Sequence, residues 1–200
     1  MSEENRNSLW TMANLFSVIR ILLIPVFIYM VVRQKIVEAL VFFLIASLTD
    51  VLDGMAARAF HQRTKIGGLL DPAADKLLMT AAIIILSIPS FSQPNTIPLW
   101  LTILIIGRDI AIVTSAFLLF KWRGQKSFPP SIFGKASTVF QMGIILCVLF
   151  LNVLGTSPSF LFWLYILTFI STLVSGLHYG IWGYSLLSTP LPSRAEKEMK

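Results

Sequence analysis

The chain has a single cysteine, Cys147, and long stretches in which charged residues are almost absent. One cysteine excludes both an intrachain disulfide and a cysteine-based metal site within one chain. Residues 77–120 contain one Arg and one Asp, and residues 136–193 contain no Asp, Glu, Lys or Arg. Uncharged stretches of this length are typical of membrane-spanning segments and argue against an ordinary water-soluble fold.

What the sequence has in excess is apolar surface. Of its 200 residues, 56% are hydrophobic, and the mean hydropathy is +0.77. A chain of this length has room for one domain, and a soluble domain would need more polar residues to cover its core. The formal net charge of +6 therefore predicts loops that face the cytoplasm and anionic lipid, and no nucleic-acid partner.

Six apolar segments are present, each close to the ~20 residues that a helix needs to cross the hydrocarbon core. Helices are expected because lipid offers no partners for unpaired backbone groups. We predict an all-α membrane protein with one six-helix domain over residues 1–200, including short tails at 1–9 and 189–200. The predicted helices cover about 13–32, 37–59, 69–88, 98–120, 132–154 and 160–187.

The charged residues favour one orientation in the membrane. Two alternate loops, 90–97 and 152–159, carry no charge, whereas the loops between them and the C-terminal tail are rich in Lys and Arg. The short turn that holds Arg33 and Lys35 is the exception. The positive-inside rule then predicts that both termini and the loop between the second and third helices lie in the cytoplasm.

Four aspartates lie where the second and third helices are joined. Asp50 and Asp53 are three residues apart, and Asp71 and Asp75 are four apart, so each pair would share one helix face. These carboxylates could form salt bridges at the membrane interface. Alternatively they bind divalent cations, and an all-oxygen site suits Mg²⁺ or Mn²⁺. Two such ions would clamp a diphosphate.

The residues around the aspartates suit a phosphate ligand. Gly54 and Ala57 follow Asp53 closely and would leave a gap beside the carboxylates for a nucleotide. Arg58 could pair with a phosphate oxygen, and Gly67 allows a tight turn and the close approach of a ligand.

The run from Asp50 to Asp75 resembles the signature of the CDP-alcohol phosphatidyltransferase family at every fixed position. It reads Asp, two residues, Asp-Gly, two residues, Ala-Arg, eight residues, Gly, three residues, Asp, three residues, Asp. The resemblance implies a homodimer, an active site open to the cytoplasmic leaflet, and release of CMP when an alkoxide attacks CDP-diacylglycerol. It implies metal ligands at Asp50, Asp53, Asp71 and Asp75, a general base at Asp75, and CDP-binding positions at Asp53, Gly54, Ala57, Arg58 and Gly67.

Other short segments bear on the acceptor alcohol. Gly107-Arg108-Asp109 and Gly134-Lys135, together with Asn14, Ser17 and Arg20, resemble segments of the bacterial phosphatidylglycerophosphate synthases. On that interpretation Arg108 and Lys135 bind the phosphate of glycerol 3-phosphate. The residues also allow Arg108 to form a salt bridge with Asp109 or Asp75, and Lys135 to extend to the cytoplasmic interface.

Two alternatives to this function stay open on the sequence. Cardiolipin synthases of the same fold share an Arg-Asp pair in the fourth helix, and their acceptor, phosphatidylglycerol, also carries a phosphate. A protein of another class, a transporter, could use the acidic cluster to bind cations. Transporters often have internal repeats and broken helices near the bilayer midplane, and we find no convincing repeat here.

Overall fold

A computed structural model of the chain describes residues 12–60, 67–123 and 131–188. Every regular element in these ranges is an α-helix, which confirms the predicted fold class. The helix ends fall within three residues of the predicted ones. The helices are α1 (Met12–Val32), α2 (Ile36–Phe60), α3 (Gly67–Leu86), α4 (Leu99–Arg123), α5 (Ile132–Leu154) and α6 (Phe160–Ser188). The structure describes no side chains for residues 12–17, 50–72, 118–120, 122–123 and 184–188.

Within the residues that the structure describes, three helices are long and apolar enough to cross a membrane. The qualifying stretches are Leu99–Phe117, Ile132–Leu154 and Phe160–Gly183, and α1 and α2 carry shorter apolar stretches at Val18–Val32 and Ile36–Thr49. Many of their large apolar side chains point outward, for example Ile181, which is 70% exposed. Such a surface is stable against lipid and would be unfavourable against water.

The chain forms two compact units. The first comprises Met1–Pro98 and Met142–Leu161, and the second comprises Leu99–Gln141 and Phe162–Lys200. In the first unit α1 packs against both α2 and α3, and α2 also contacts α3. Its interior is apolar where α1 meets α2, and there the ring centroids of Phe27 and Phe43 lie 5.7 Å apart.

Two of the helices end in a backbone conformation with positive φ. Gln34 has φ 59° after α1, and Gly155 has φ 64° after α5. After α5, the N–H of Gly155 donates to the carbonyl of Asn152, and the N–H of Thr156 donates to that of Leu151. This Schellman pattern satisfies carbonyls that a helix end otherwise leaves unpaired.

A buried polar network joins the two uncharged loops of the first unit. The Oδ1 atom of Asn152 accepts from the backbone N–H of Asn95 at 2.8 Å and from its Nδ2 at 2.9 Å. The Nδ2 atom of Asn152 donates to the hydroxyl of Ser92 and to the carbonyl of Asn95, both at 2.9 Å. Asn95 also donates to the carbonyl of Thr156 and accepts from the hydroxyl of Ser157. These bonds fix the α3–α4 loop to the α5–α6 turn.

The second unit has a more polar interior. Its apolar part includes Leu101 and Ile105 of α4, which are both buried. Polar side chains continue this interior along α5 and α6. The fully or almost fully buried ones are Ser137, Gln141, Thr168, Thr172 and Ser175.

We predict that Asn152→Ala destabilises the protein by about 3 kcal/mol, because it leaves buried donors of Asn95 without an acceptor. The measurement is the unfolding free energy in detergent micelles. Thr156→Ala is the matched control, since Thr156 has an exposed side chain and contributes its carbonyl oxygen to the network. Equal stability of the two variants would contradict the importance of the Asn152 side chain.

Candidate active site

The four aspartates all lie in helices. Asp50 and Asp53 belong to α2, and Asp71 and Asp75 belong to α3. The backbone therefore meets the condition under which residues three or four apart share a helix face. The side chain of Asp75 is half-buried in the first unit. The side chains of the other three lie outside the described residues, so their role as metal ligands stays a prediction.

The predicted CDP-binding positions lie on the same two helices. Gly54, Ala57 and Arg58 fall in the last two turns of α2, and Gly67 is the first residue of α3. Their side chains also lie outside the described residues. The predicted metal ligands, the four aspartates of α2 and α3, would supply carboxylate oxygens. Such ligands fit a hard divalent cation such as Mg²⁺ or Mn²⁺.

A second group of functional candidates is centred on Arg108 in the second unit. This side chain is only 6% exposed, and it lies within the apolar stretch of α4. Its Nη1 atom forms an ion pair with Asp109 Oδ1 at 2.6 Å, and its Nη2 atom donates to the hydroxyl of Ser175 in α6. Its Nε atom is buried without a hydrogen-bond partner. The guanidinium carbon lies 5.9 Å from the ring centroid of Tyr179.

The salt bridge expected as one interpretation of Arg108 is therefore present. The ion pair occupies one of the three guanidinium nitrogens, so it leaves the other interpretation, phosphate binding, open. A buried guanidinium inside a membrane helix is costly unless it is paired or serves a site. The partners of Arg108 hold its planar group in one place within the interior of the second unit.

Lys135, the other candidate for acceptor binding, lies in the first turn of α5 and is exposed. That exposure is what either a lysine at the membrane interface or a ligand-binding lysine requires. Arg20, which belongs to the segment that resembles the bacterial phosphatidylglycerophosphate synthases, is fully buried in the first unit. A side chain that extended to the interface would be exposed, so Arg20 belongs to the interior.

The sequence reasoning missed Ser175 and Tyr179. Both lie on α6. Together with Thr168 and Thr172 they form a series in which successive residues are four, three and four positions apart, so all of them share one face of the helix. The hydroxyls of Thr172 and Ser137 lie 3.2 Å apart. The regular spacing of hydroxyl side chains in this otherwise apolar helix could have indicated these residues, because hydroxyl groups in a membrane helix usually face other parts of the protein.

A sequence model of the family described as CDP-alcohol phosphatidyltransferase matches residues 10–174. An Aquifex aeolicus protein named CDP-diacylglycerol–glycerol-3-phosphate 3-phosphatidyltransferase is 35% identical over 177 residues, which are 87% of this chain and 96% of that protein. A human cardiolipin synthase (CMP-forming) is 38% identical over 109 residues, 54% of this chain and 35% of that protein. A putative cardiolipin synthase of Mycobacterium tuberculosis is 34% identical over 137 residues, 66% of this chain and 61% of that protein.

Proposed function

Because the chain belongs to the CDP-alcohol phosphatidyltransferase family, we propose that this integral membrane enzyme transfers a phosphatidyl group from CDP-diacylglycerol to glycerol 3-phosphate. The products are phosphatidylglycerophosphate and CMP. The observation that carries the choice of acceptor is the similarity to the Aquifex glycerol-3-phosphate enzyme, which extends over 96% of that protein. The similarity to the human cardiolipin synthase covers 35% of that enzyme.

The four aspartates of α2 and α3 would hold the metal, which we propose to be two Mg²⁺ or Mn²⁺ ions. Ions held there would supply positive charge for the diphosphate of the donor and for the leaving CMP. The ligands are Asp50, Asp53, Asp71 and Asp75.

The residues beside the aspartates would bind the CDP group. Gly54 and Ala57 lack bulky side chains and leave space beside Asp53, while Gly67 admits the ligand at the start of α3. Arg58 supplies a planar cation for a phosphate oxygen. Together they would orient the β-phosphorus toward the acceptor hydroxyl.

Asp75 would act as the general base. Its carboxylate accepts the proton of the acceptor hydroxyl while that oxygen attacks the β-phosphorus of CDP-diacylglycerol. The bond from the β-phosphorus to the bridging oxygen breaks, and CMP leaves with that oxygen and its electron pair. The half-buried position of Asp75 suits a base that has to reach a ligand.

The acceptor phosphate would bind to Arg108 and Lys135. Arg108 is a buried cation with one N–H group that makes no hydrogen bond, and it lies within a membrane helix, where a charge usually serves a site. Lys135 supplies a second, exposed positive charge in the same unit. A phosphate oxygen would share the guanidinium with Asp109 and Ser175.

A cardiolipin synthase is the second candidate, because proteins of that name match this chain at comparable identity. Its acceptor, phosphatidylglycerol, offers a phosphodiester to the same cations. A cation transporter, the alternative from another class, would not depend on CDP-diacylglycerol.

We propose that both termini and the active site face the cytoplasm, and that the partners are membrane lipid and a second copy of the chain. The uncharged loops opposite the basic ones support the orientation. The family resemblance supports the homodimer, and light scattering in detergent tests it against the 22.4 kDa mass of one chain.

We predict that purified protein releases CMP from CDP-diacylglycerol when glycerol 3-phosphate and Mg²⁺ or Mn²⁺ are present, and that a chelator abolishes the release.

Asp75→Asn should lower kcat by about 10²- to 10⁴-fold, because the acceptor loses its base. Glu38→Gln, an exposed carboxylate at the start of α2, is the control. Phosphatidylglycerol and inositol 1-phosphate are compared as acceptors, and turnover with phosphatidylglycerol alone would establish cardiolipin synthesis instead.

Removing either positive charge of the proposed acceptor site should weaken the binding of glycerol 3-phosphate. Arg108→Gln and Lys135→Gln are expected to raise the KM for glycerol 3-phosphate about 10- to 100-fold, because each removes a charge-assisted hydrogen bond to phosphate. The KM for CDP-diacylglycerol should stay unchanged. Lys121→Gln, which changes an exposed lysine near the end of α4, is the matched control. A normal acceptor KM in both variants would assign these cations to stability or topology alone.

The single cysteine makes the orientation measurable. In a Cys147→Ser background, Ser90→Cys should react with a membrane-impermeant maleimide added to intact cells, because its loop faces outward. Lys121→Cys should react only after the membrane is permeabilised. Both native side chains are exposed, so accessibility to water is matched. The reverse labelling pattern would contradict the proposed orientation.

A further inference from the structure

Tyr179 of α6 contacts Arg108, one of the two cations proposed to bind the acceptor phosphate, and the residue that precedes α5, the helix that carries the other. Its ring lies beside the guanidinium of Arg108, with 5.9 Å from the guanidinium carbon to the ring centroid. Its hydroxyl accepts a hydrogen bond from the backbone N–H of Ser131 at 2.9 Å. Ser131 directly precedes α5, and Lys135 lies in the first turn of that helix. One side chain therefore connects the buried cation of α4 with the start of α5.

The first turn of α5 packs closely against the hydroxyl group of Tyr179. The Oγ atom of Ser131 accepts from the N–H of Gly134 at 3.0 Å, as an N-cap residue does. A Cβ atom at Gly134 would lie 3.1 Å from the Tyr179 hydroxyl oxygen and 3.2 Å from its Cε2 atom. The Oγ atom of Ser131 would lie 3.3 Å from the same Cβ atom. Such contacts are tight enough that a neighbour would have to shift slightly, so the absence of a side chain at Gly134 allows the close approach.

Both contacts of Tyr179 have a physical rationale in a membrane. The N–H of Ser131 precedes the helix and has no intrahelical acceptor, and unsatisfied backbone groups are costly where water is scarce. The aromatic face stabilises the charge of Arg108 as a cation–π partner. Neither contact requires a ligand, so the arrangement exists before the acceptor binds.

We propose that Tyr179 is a positioning residue for the acceptor phosphate: it holds Arg108 and the first turn of α5, with Lys135, so that both cations meet one phosphate group. The inference rests on the proposed function, because it presupposes that these cations bind the acceptor. Tyr179 itself does not take part in the chemical step. The same role applies whether the phosphate belongs to glycerol 3-phosphate or to phosphatidylglycerol.

The test separates positioning from general stability through the two Michaelis constants. Tyr179→Phe keeps the ring beside Arg108 and removes the hydroxyl, and Gly134→Ala displaces the hydroxyl through the added Cβ atom. Each should raise the KM for glycerol 3-phosphate about 3- to 10-fold, the effect of one lost hydrogen bond. The KM for CDP-diacylglycerol and kcat should change by less than about twofold, since the donor site lies on other helices.

Gly143→Ala is the control for the glycine substitution. It makes the same change in the same helix, at a position where an added Cβ atom meets nothing within 4 Å. Its acceptor KM should equal that of the wild type. Tyr179→Leu, which also removes the aromatic ring from Arg108, should raise the acceptor KM further than Tyr179→Phe.

The double variant Tyr179→Phe/Gly134→Ala tests whether both substitutions act through the same hydroxyl contact. If they do, its acceptor KM should be no higher than that of the worse single variant, because the second change finds the contact already lost. Independent effects would multiply, and that result would contradict a shared mechanism.

Two failures are distinguishable. A wild-type chain that releases no CMP with either glycerol 3-phosphate or phosphatidylglycerol contradicts the proposed function. A wild-type chain that turns over normally, while Tyr179→Phe and Gly134→Ala keep its acceptor KM, contradicts the positioning role alone. A lower kcat, an equal rise in both KM values and a lower thermal stability would also overturn that role, since this pattern is expected of a residue needed only for folding. If phosphatidylglycerol is the acceptor used, the same variants are compared with it.

Discussion

Inside a bilayer every polar group has to find its partner within the protein, because lipid supplies none. This requirement explains where the chain places its polar side chains. In the first unit, Asn95 and Asn152 satisfy one another and the loop backbone around them. In the second unit, Arg108 shares its charge with Asp109 and a hydroxyl of α6. The exposed surface of the same helices is largely apolar, and these buried side chains are held in place by hydrogen bonds and an ion pair.

The helices could be predicted from the sequence, and a donor site could be proposed from it, because both patterns are local. An uncharged run of about 20 residues defines a membrane helix by its own composition. The segment from Asp50 to Asp75 contains all the signature positions in two neighbouring helices, and its spacing has meaning as soon as both are helical. Such features need no knowledge of how distant segments pack.

The contacts around Arg108 could not be predicted in this way. Ser175 is 67 residues from Arg108, and Tyr179 is 48 residues from Ser131, and nothing in the local pattern specifies which helix faces meet. The Asn95–Asn152 network likewise joins residues 57 apart. Sequence reasoning identified the loops as uncharged and gave them an orientation, but their mutual hydrogen bonds depend on tertiary packing.

This difference in locality separates the two proposed substrate sites. The proposed donor site occupies one short segment, from Asp50 to Asp75. The groups proposed for the acceptor come from α4, α5 and α6, and their geometry depends on contacts such as those of Tyr179. An arginine suits this position better than a lysine, because its planar group can bond Asp109 and Ser175 and still present another N–H to a ligand. Acceptor specificity would then depend on how α6 holds the cations as well as on which cations are present.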